Sequence, residues 1–122
     1  MKILSPKIHG ILDFVVVLMF FLVPSLFHFS NMPSNLSYIM GACYLALVLI
    51  TRYPYGVLKV VPFPIHGGIE FVLSFAFILF PWLLRFNLDF PARNFYVGSG
   101  VVLFVVWLIT DYKAAETEKN LT

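Results

Sequence analysis

The sequence predicts an all-α membrane protein: four transmembrane helices arranged as a parallel tandem repeat of two-helix units. Three observations predict it. The chain is 61% hydrophobic and only 11% charged, whereas a soluble domain is about half apolar and about a quarter charged. Four apolar segments approach the roughly 20 residues that cross a bilayer. The first half of the chain can also be laid on the second. A soluble chain of 122 residues could not hide this much apolar surface in one core, so the excess faces lipid. One transmembrane domain over residues 1–122 follows, with repeat units at about 6–53 and 64–112 and a polar tail at 113–122.

The spans fall at Pro6–Phe29, Ser34–Arg52, Pro64–Phe86 and Ala92–Tyr112. Ser5-Pro6 reads as an N-cap followed by proline in the first helical turn, and Pro64 plays the same first-turn part. The apolar run at the N-terminus is longer than a signal core and lacks small residues before a cleavage point, so it reads as a retained span. The connections "HFSNMPSN", "RYPYGVLKVVPF" and "RFNLDFPARN" carry Pro, Asn or Gly, as turns do. Strands of a barrel would be shorter and would alternate, and these runs do neither. Lys2, Lys7, Arg52, Lys59, Lys113 and Lys119 fall at the two ends and in the second connection. Only Arg85 and Arg93 fall on the other side. The bias puts both termini in the cytoplasm.

Laying His9 on His66 brings "IHGILDFVVVLMFFLVPSLFHF" onto "IHGGIEFVLSFAFILFPWLLRF". Gly10 meets Gly67, Asp13 meets Glu70, Phe20 meets Phe77 and Pro24 meets Pro81. With a slightly longer third connection, "LITRY" at Leu49–Tyr53 meets "LITDY" at Leu108–Tyr112. Such self-similarity is the mark of a repeat. Each unit holds an even number of helices, so both enter the membrane the same way and the pseudo-two-fold axis lies along the membrane normal.

The pattern His-Gly-x-x-Asp/Glu-Phe, then a run ending at a proline, then a helix ending "LIT-x-Tyr", resembles the SPW-repeat family of small bacterial membrane proteins. The likeness spans residues 7 to 112. The Ser-Pro-Trp element stands here as "VPS" at Val23–Ser25 and "FPW" at Phe80–Trp82. The resemblance implies four transmembrane helices in two repeats in a bacterial inner membrane. It implies no biochemical activity.

His9 and Asp13, like His66 and Glu70, stand four residues apart and so share a helix face. At 1.5 Å per residue the carboxylates sit roughly 10 Å inside the span. An ionised carboxylate facing lipid there costs about 2.5–3.5 kcal/mol, so each turns inward toward a partner. Gly10, Gly67 and Gly68 lie on or beside this face and allow close helix approach. Thr51, Tyr53, Thr110 and Tyr112 reach the same depth from the ends of the second and fourth spans and are candidates for supporting the cluster. Pro24 and Pro81, near the outer ends, read as kinks, early helix ends or hinges.

Three readings of His9, Asp13, His66 and Glu70 stay open. The cluster stabilises the bundle, because buried polar groups must be paired. It handles protons or a small ion, although the outer half of the bundle offers no charged residue to complete a relay. Or it holds a divalent metal through all four side chains, or a haem through the histidines, as an electron-transfer subunit would. The sequence requires no cofactor. Cys-x-x-Cys-His, phosphate-loop and nucleophile-elbow motifs are absent, and the short connections are poor in catalytic residue types, so a non-enzymatic protein is expected. Cys43 cannot form an intrachain disulfide and reads as a small hydrophobe. The net charge of +2 does not suggest nucleic acid. The expected partners are the bilayer and either a second copy or another membrane protein, for which the chain would serve as an accessory subunit.

Overall fold

The structure is a computed structural model that describes residues 3–52 and 54–112. It contains α1 (Pro6–Leu26), α2 (Asn31–Ile50), α3 (Phe63–Leu83) and α4 (Phe90–Ile109). Each is long and apolar enough to cross a membrane, and no strand occurs among the described residues. Tyr53 and the tail 113–122 lie outside them, as do Lys2, Lys113 and Lys119.

Local chemistry sets the helix ends. Ser5 caps α1, its side chain accepting from the Ile8 N–H at 3.3 Å, with Pro6 in the first turn. Asp89 caps α4 through the Ala92 N–H at 3.3 Å. This starts α4 at Phe90, ahead of the expected Ala92, because Pro91 occupies a first-turn position that needs no N–H. At the other end, α1 and α3 stop three residues before Phe29 and Phe86. The Phe29 N–H reaches back to the Pro24 carbonyl at 3.0 Å, and the Phe86 N–H to that of Pro81 at 2.8 Å. His28 and Arg85 provide the left-handed turn, at φ 54° and 61°. These are Schellman ends with polar residues where glycine is usual. Pro24 and Pro81 lie inside the helices and supply the carbonyls of these ends.

The helices α1 and α2 pack chiefly on each other, as do α3 and α4. Gly100 lets α3 and α4 close: a Cβ there would run into the Ser74 carbonyl oxygen. Gly41 seats the Phe20 and Phe21 side chains in the same way against α2, at 3.3 Å. Gly68 departs from its expected packing role, being exposed with open space where a Cβ would go. Gly10 and Gly67 are buried.

Between the hairpins, the half of the bundle that holds the α1–α2 and α3–α4 turns carries a cluster of rings. Phe20 meets Phe77 at 5.2 Å and Phe95 at 4.9 Å, and Tyr96 packs on Phe86 at 5.1 Å. The opposite half holds the buried ionisable groups His9, Asp13, His66 and Glu70, while Ser37 and Tyr96 in the ring half donate to the Phe20 and Pro33 carbonyls. The outward faces carry Leu18, Leu22, Val72, Leu79 and Val102 in exposed positions, as a lipid-facing surface requires.

Two backbone bridges tie the polar end together. Val61 N–H donates to the Ile50 carbonyl and Arg52 N–H to that of Val61, beside Thr51. Leu4 N–H donates to the Ile109 carbonyl and Asp111 N–H to that of Leu4, beside Thr110. The entry to α3 is thus clamped to the exit of α2, and the entry to α1 to the exit of α4. These bridges also explain why α2 and α4 end before Arg52 and Tyr112. Thr51 and Thr110 adopt extended backbone to make them.

Candidate functional site

The caps at Ser5 and Pro62 start α1 and α3 so that His9 and His66 fall in their first turns. Asp13 and Glu70 follow one turn on, and all four side chains are buried. The structure brings them together across the hairpins. His9 Nε2 lies 2.9 Å from Glu70 Oε1 and 3.3 Å from Asp13 Oδ1. His66 Nε2 lies 2.7 Å from Glu70 Oε1 and 3.1 Å from Asp13 Oδ2. One donor atom from each of the four residues falls within 4.8 Å of the others.

The far side of each ring is fixed by a threonine of the other hairpin. His9 Nδ1 meets Thr110 Oγ1 at 2.8 Å, and His66 Nδ1 meets Thr51 Oγ1 at 2.7 Å. Each threonine hydroxyl also donates backwards in its own helix, at 2.6 Å, to the Val106 and Leu47 carbonyls. A hydroxyl has one proton. When that proton sits on the carbonyl, the threonine oxygen accepts and the histidine Nδ1 carries the hydrogen. Both Nε2 atoms are then left to face the carboxylates.

Two tyrosines complete the ring of donors. Tyr44 Oη lies 2.5 Å from Glu70 Oε1 and 2.9 Å from Asp13 Oδ1, within reach of both carboxylates for its one proton. Tyr112 Oη donates to Glu70 Oε2 at 3.0 Å. Thr51, Thr110 and Tyr112 therefore stand where the sequence placed them, beside the cluster, whereas Tyr53 lies outside the described residues. Pro24 and Pro81 are at the opposite end of their helices and do not touch it. Gly67 has a specific use: a Cβ there would lie 2.7 Å from the Tyr112 ring, so only glycine seats that ring over Glu70.

Tyr44 was not foreseen. A depth comparison could have found it, since it lies about 9 Å from the polar end of α2, level with Asp13 and Glu70. Phe63 is the other unforeseen neighbour. Its ring lies 5.1 Å from His9 and 4.6 Å from Tyr112, so the two aromatics roof the cluster. About two turns beyond Asp13 and Glu70 on the same helices stands the Phe20–Phe77 pair.

The donor set suits a first-row divalent ion. Donors held at about 2.0–2.2 Å from one ion stand about 3–4 Å from each other; here the histidine–carboxylate pairs stand at 2.7–3.3 Å, hydrogen-bond distances, and the whole set lies within 4.8 Å. An Nδ1–H bonded to an oxygen partner, with Nε2 turned inward, is the arrangement by which outer groups orient metal-binding histidines. A haem fits poorly. Each Nε2 meets carboxylate oxygens, and a porphyrin would need the space that Asp13 and Glu70 fill. Comparison of the chain with protein-family models, curated proteins and solved structures returned no match.

Proposed function

We propose that this small membrane protein holds one divalent transition-metal ion in a dry site between its two hairpins. The ligands are His9 and His66 through Nε2, with one oxygen each from Asp13 and Glu70. The observation that carries this reading is the pair of threonine bonds, which commit both Nδ1 atoms and aim both Nε2 atoms at the carboxylates. Charge supports it. Two carboxylates with two neutral imidazoles leave two negative charges in a membrane interior, which is costly. One divalent ion offsets both. Without it, two protons shared between Nε2 and carboxylate do the same.

The reading makes the protein a non-enzymatic metal holder. We include in the proposal the two-unit repeat and its kinship with SPW-repeat proteins, a bacterial inner membrane with both ends cytoplasmic, and self-association or an accessory role in a complex. The paired environments of His9 and His66, and of Pro24 and Pro81, support the repeat.

A second reading is a structural lock, with proton handling as its active form. It is favoured by the absence of any unsatisfied buried side-chain N or O atom among the described residues. Metal quantification separates the two. The purified protein is stripped with chelator, reloaded with Zn²⁺, Mn²⁺ or Co²⁺ and desalted. One ion per chain, lost in His66→Ala while helicity is retained, supports the metal site. A wild-type chain that never takes an ion leaves the lock.

A further inference from the structure

We propose that residues 54–58 form a re-entrant anchor that lies in the lipid at the polar end of the bundle, with Arg52 and Lys59 on anionic headgroups at its rim. The inference is independent of the metal site. Two observations place the segment beside the helices instead of beyond them. The Val57 and Leu58 N–H groups both donate to the Leu49 carbonyl, at 2.7 and 3.0 Å, and Leu49 belongs to the last turn of α2. Tyr55 packs its ring edge-on against Phe14, centroids 6.0 Å apart. Phe14 lies about 12 Å along α1 from Pro6, deeper than Asp13. The chain therefore leaves α2, turns back against its last turn, where the Tyr55 ring reaches Phe14, and returns to enter α3.

What the segment shows outward is apolar. Val57 is 74% and Leu58 68% exposed, and no charged residue lies between Pro54 and Leu58. In water this surface would cost roughly 25 cal/mol for each Å² left uncovered. In the interfacial layer it is buried at the level that Leu49 fixes. The charges sit at the rim. The Arg52 Nε donates to the Lys59 carbonyl at 2.9 Å, joining the two cationic residues across the neck of the segment. Lys59 turns the chain in the left-handed region, φ 45°, and its side chain is exposed. Cations above an apolar tip fit a leaflet carrying anionic lipid, which holds each such residue with about fivefold preference.

The test uses the full chain in nanodiscs, with a spin label at Leu58→Cys in a Cys43→Ala background, because Cys43 is exposed. The discs are phosphatidylcholine alone or mixed with phosphatidylglycerol. Relaxation by oxygen exceeding relaxation by a water-soluble nickel chelate places the label in lipid and supports the anchor. Phosphatidylglycerol should immobilise it further, and Lys59→Gln or Arg52→Gln should each weaken that response about fivefold. A label relaxed mainly by the nickel chelate overturns the proposal. So does spin–spin broadening that vanishes on dilution with unlabelled protein, which would mean a second copy covers the segment. If Leu58→Cys does not fold, Val57→Cys reports from the same level.

Discussion

The Thr51 hydroxyl and the His66 imidazole are joined Oγ1 to Nδ1 at 2.7 Å across the two hairpins, and the same hydroxyl is spent on the Leu47 carbonyl. Thr51→Val keeps the shape and removes the acceptor, leaving a buried Nδ1–H unpaired. The expected cost is about 1–3 kcal/mol of stability, read as a lower midpoint of thermal unfolding in detergent. Metal affinity should fall about 10–100-fold, measured by competition with a chelator of known strength. Thr51→Ser should restore both. If Thr51→Val lowers the midpoint and leaves metal affinity unchanged, the threonine holds the helix end and does not orient the histidine.

Gly100 and Gly68 make a matched pair of alanine substitutions. At Gly100 the new Cβ meets backbone, the Ser74 carbonyl oxygen, so α3 and α4 must move apart. Overpacking of this kind costs typically about 1–3 kcal/mol. At Gly68 the Cβ meets open space, and alanine gains about 1 kcal/mol of helix propensity over glycine. Gly100→Ala should unfold at lower denaturant and Gly68→Ala at equal or higher denaturant. The opposite order would contradict the close approach of α3 and α4.

The helices were legible because lipid leaves the backbone no other local solution, so hydropathy alone locates all of them. The His–carboxylate faces were legible because helical spacing puts residues four apart on one side. Their meeting across α1 and α3 was not, since nothing local in a sequence says which helix faces which. Tyr44 was hidden for a related reason: in an apolar run it looks like one more packing ring until its depth is compared with Asp13. The early ends of α1 and α3 were missed because His28 and Arg85 occupy turns where glycine would have been the signal. Asp89 was overlooked although Asp-Phe-Pro is a fair start signal, with a capping residue before a first-turn proline.

The Tyr44 hydroxyl stands within reach of both carboxylates and donates its one proton between them, and phenylalanine fills the same space without the hydroxyl. Hydrogen bonds to charged groups contribute about 1.5–3 kcal/mol, so Tyr44→Phe should lose stability in that range. With an ion in the site, charge on Asp13 and Glu70 is offset from within and the hydroxyl matters less. The deficit of Tyr44→Phe should therefore shrink when Zn²⁺ is added. Unfolding curves of wild type and variant, each with chelator and with Zn²⁺, check this. An equal deficit in both conditions would argue that the ion does not sit between the carboxylates.

Asp89 ties together the hairpins at the end where α2 and α4 begin. Its Oδ2 accepts from the Ser30 N–H at 2.7 Å and the Ser30 hydroxyl at 2.8 Å, and its Oδ1 from the Ala92 N–H. One carboxylate thus caps α4 and reaches the N-cap residue of α2. Partial burial pushes its pKa upward, but the Ser30 and Ala92 hydrogen bonds outweigh it and hold the carboxyl below its ordinary value of 3.8. A group whose pKa is lower folded than unfolded stabilises the fold above the unfolded value. That contribution is lost as pH falls through the folded pKa. Wild-type stability should therefore decline below about pH 4 in part through Asp89. Asp89→Ala should remove about 1 kcal/mol near neutrality, the usual worth of a cap, and should flatten the acid decline. Thermal midpoints of both chains from neutral pH down to acid measure the difference. If the two curves stay parallel to the lowest pH, Asp89 is not held by these bonds.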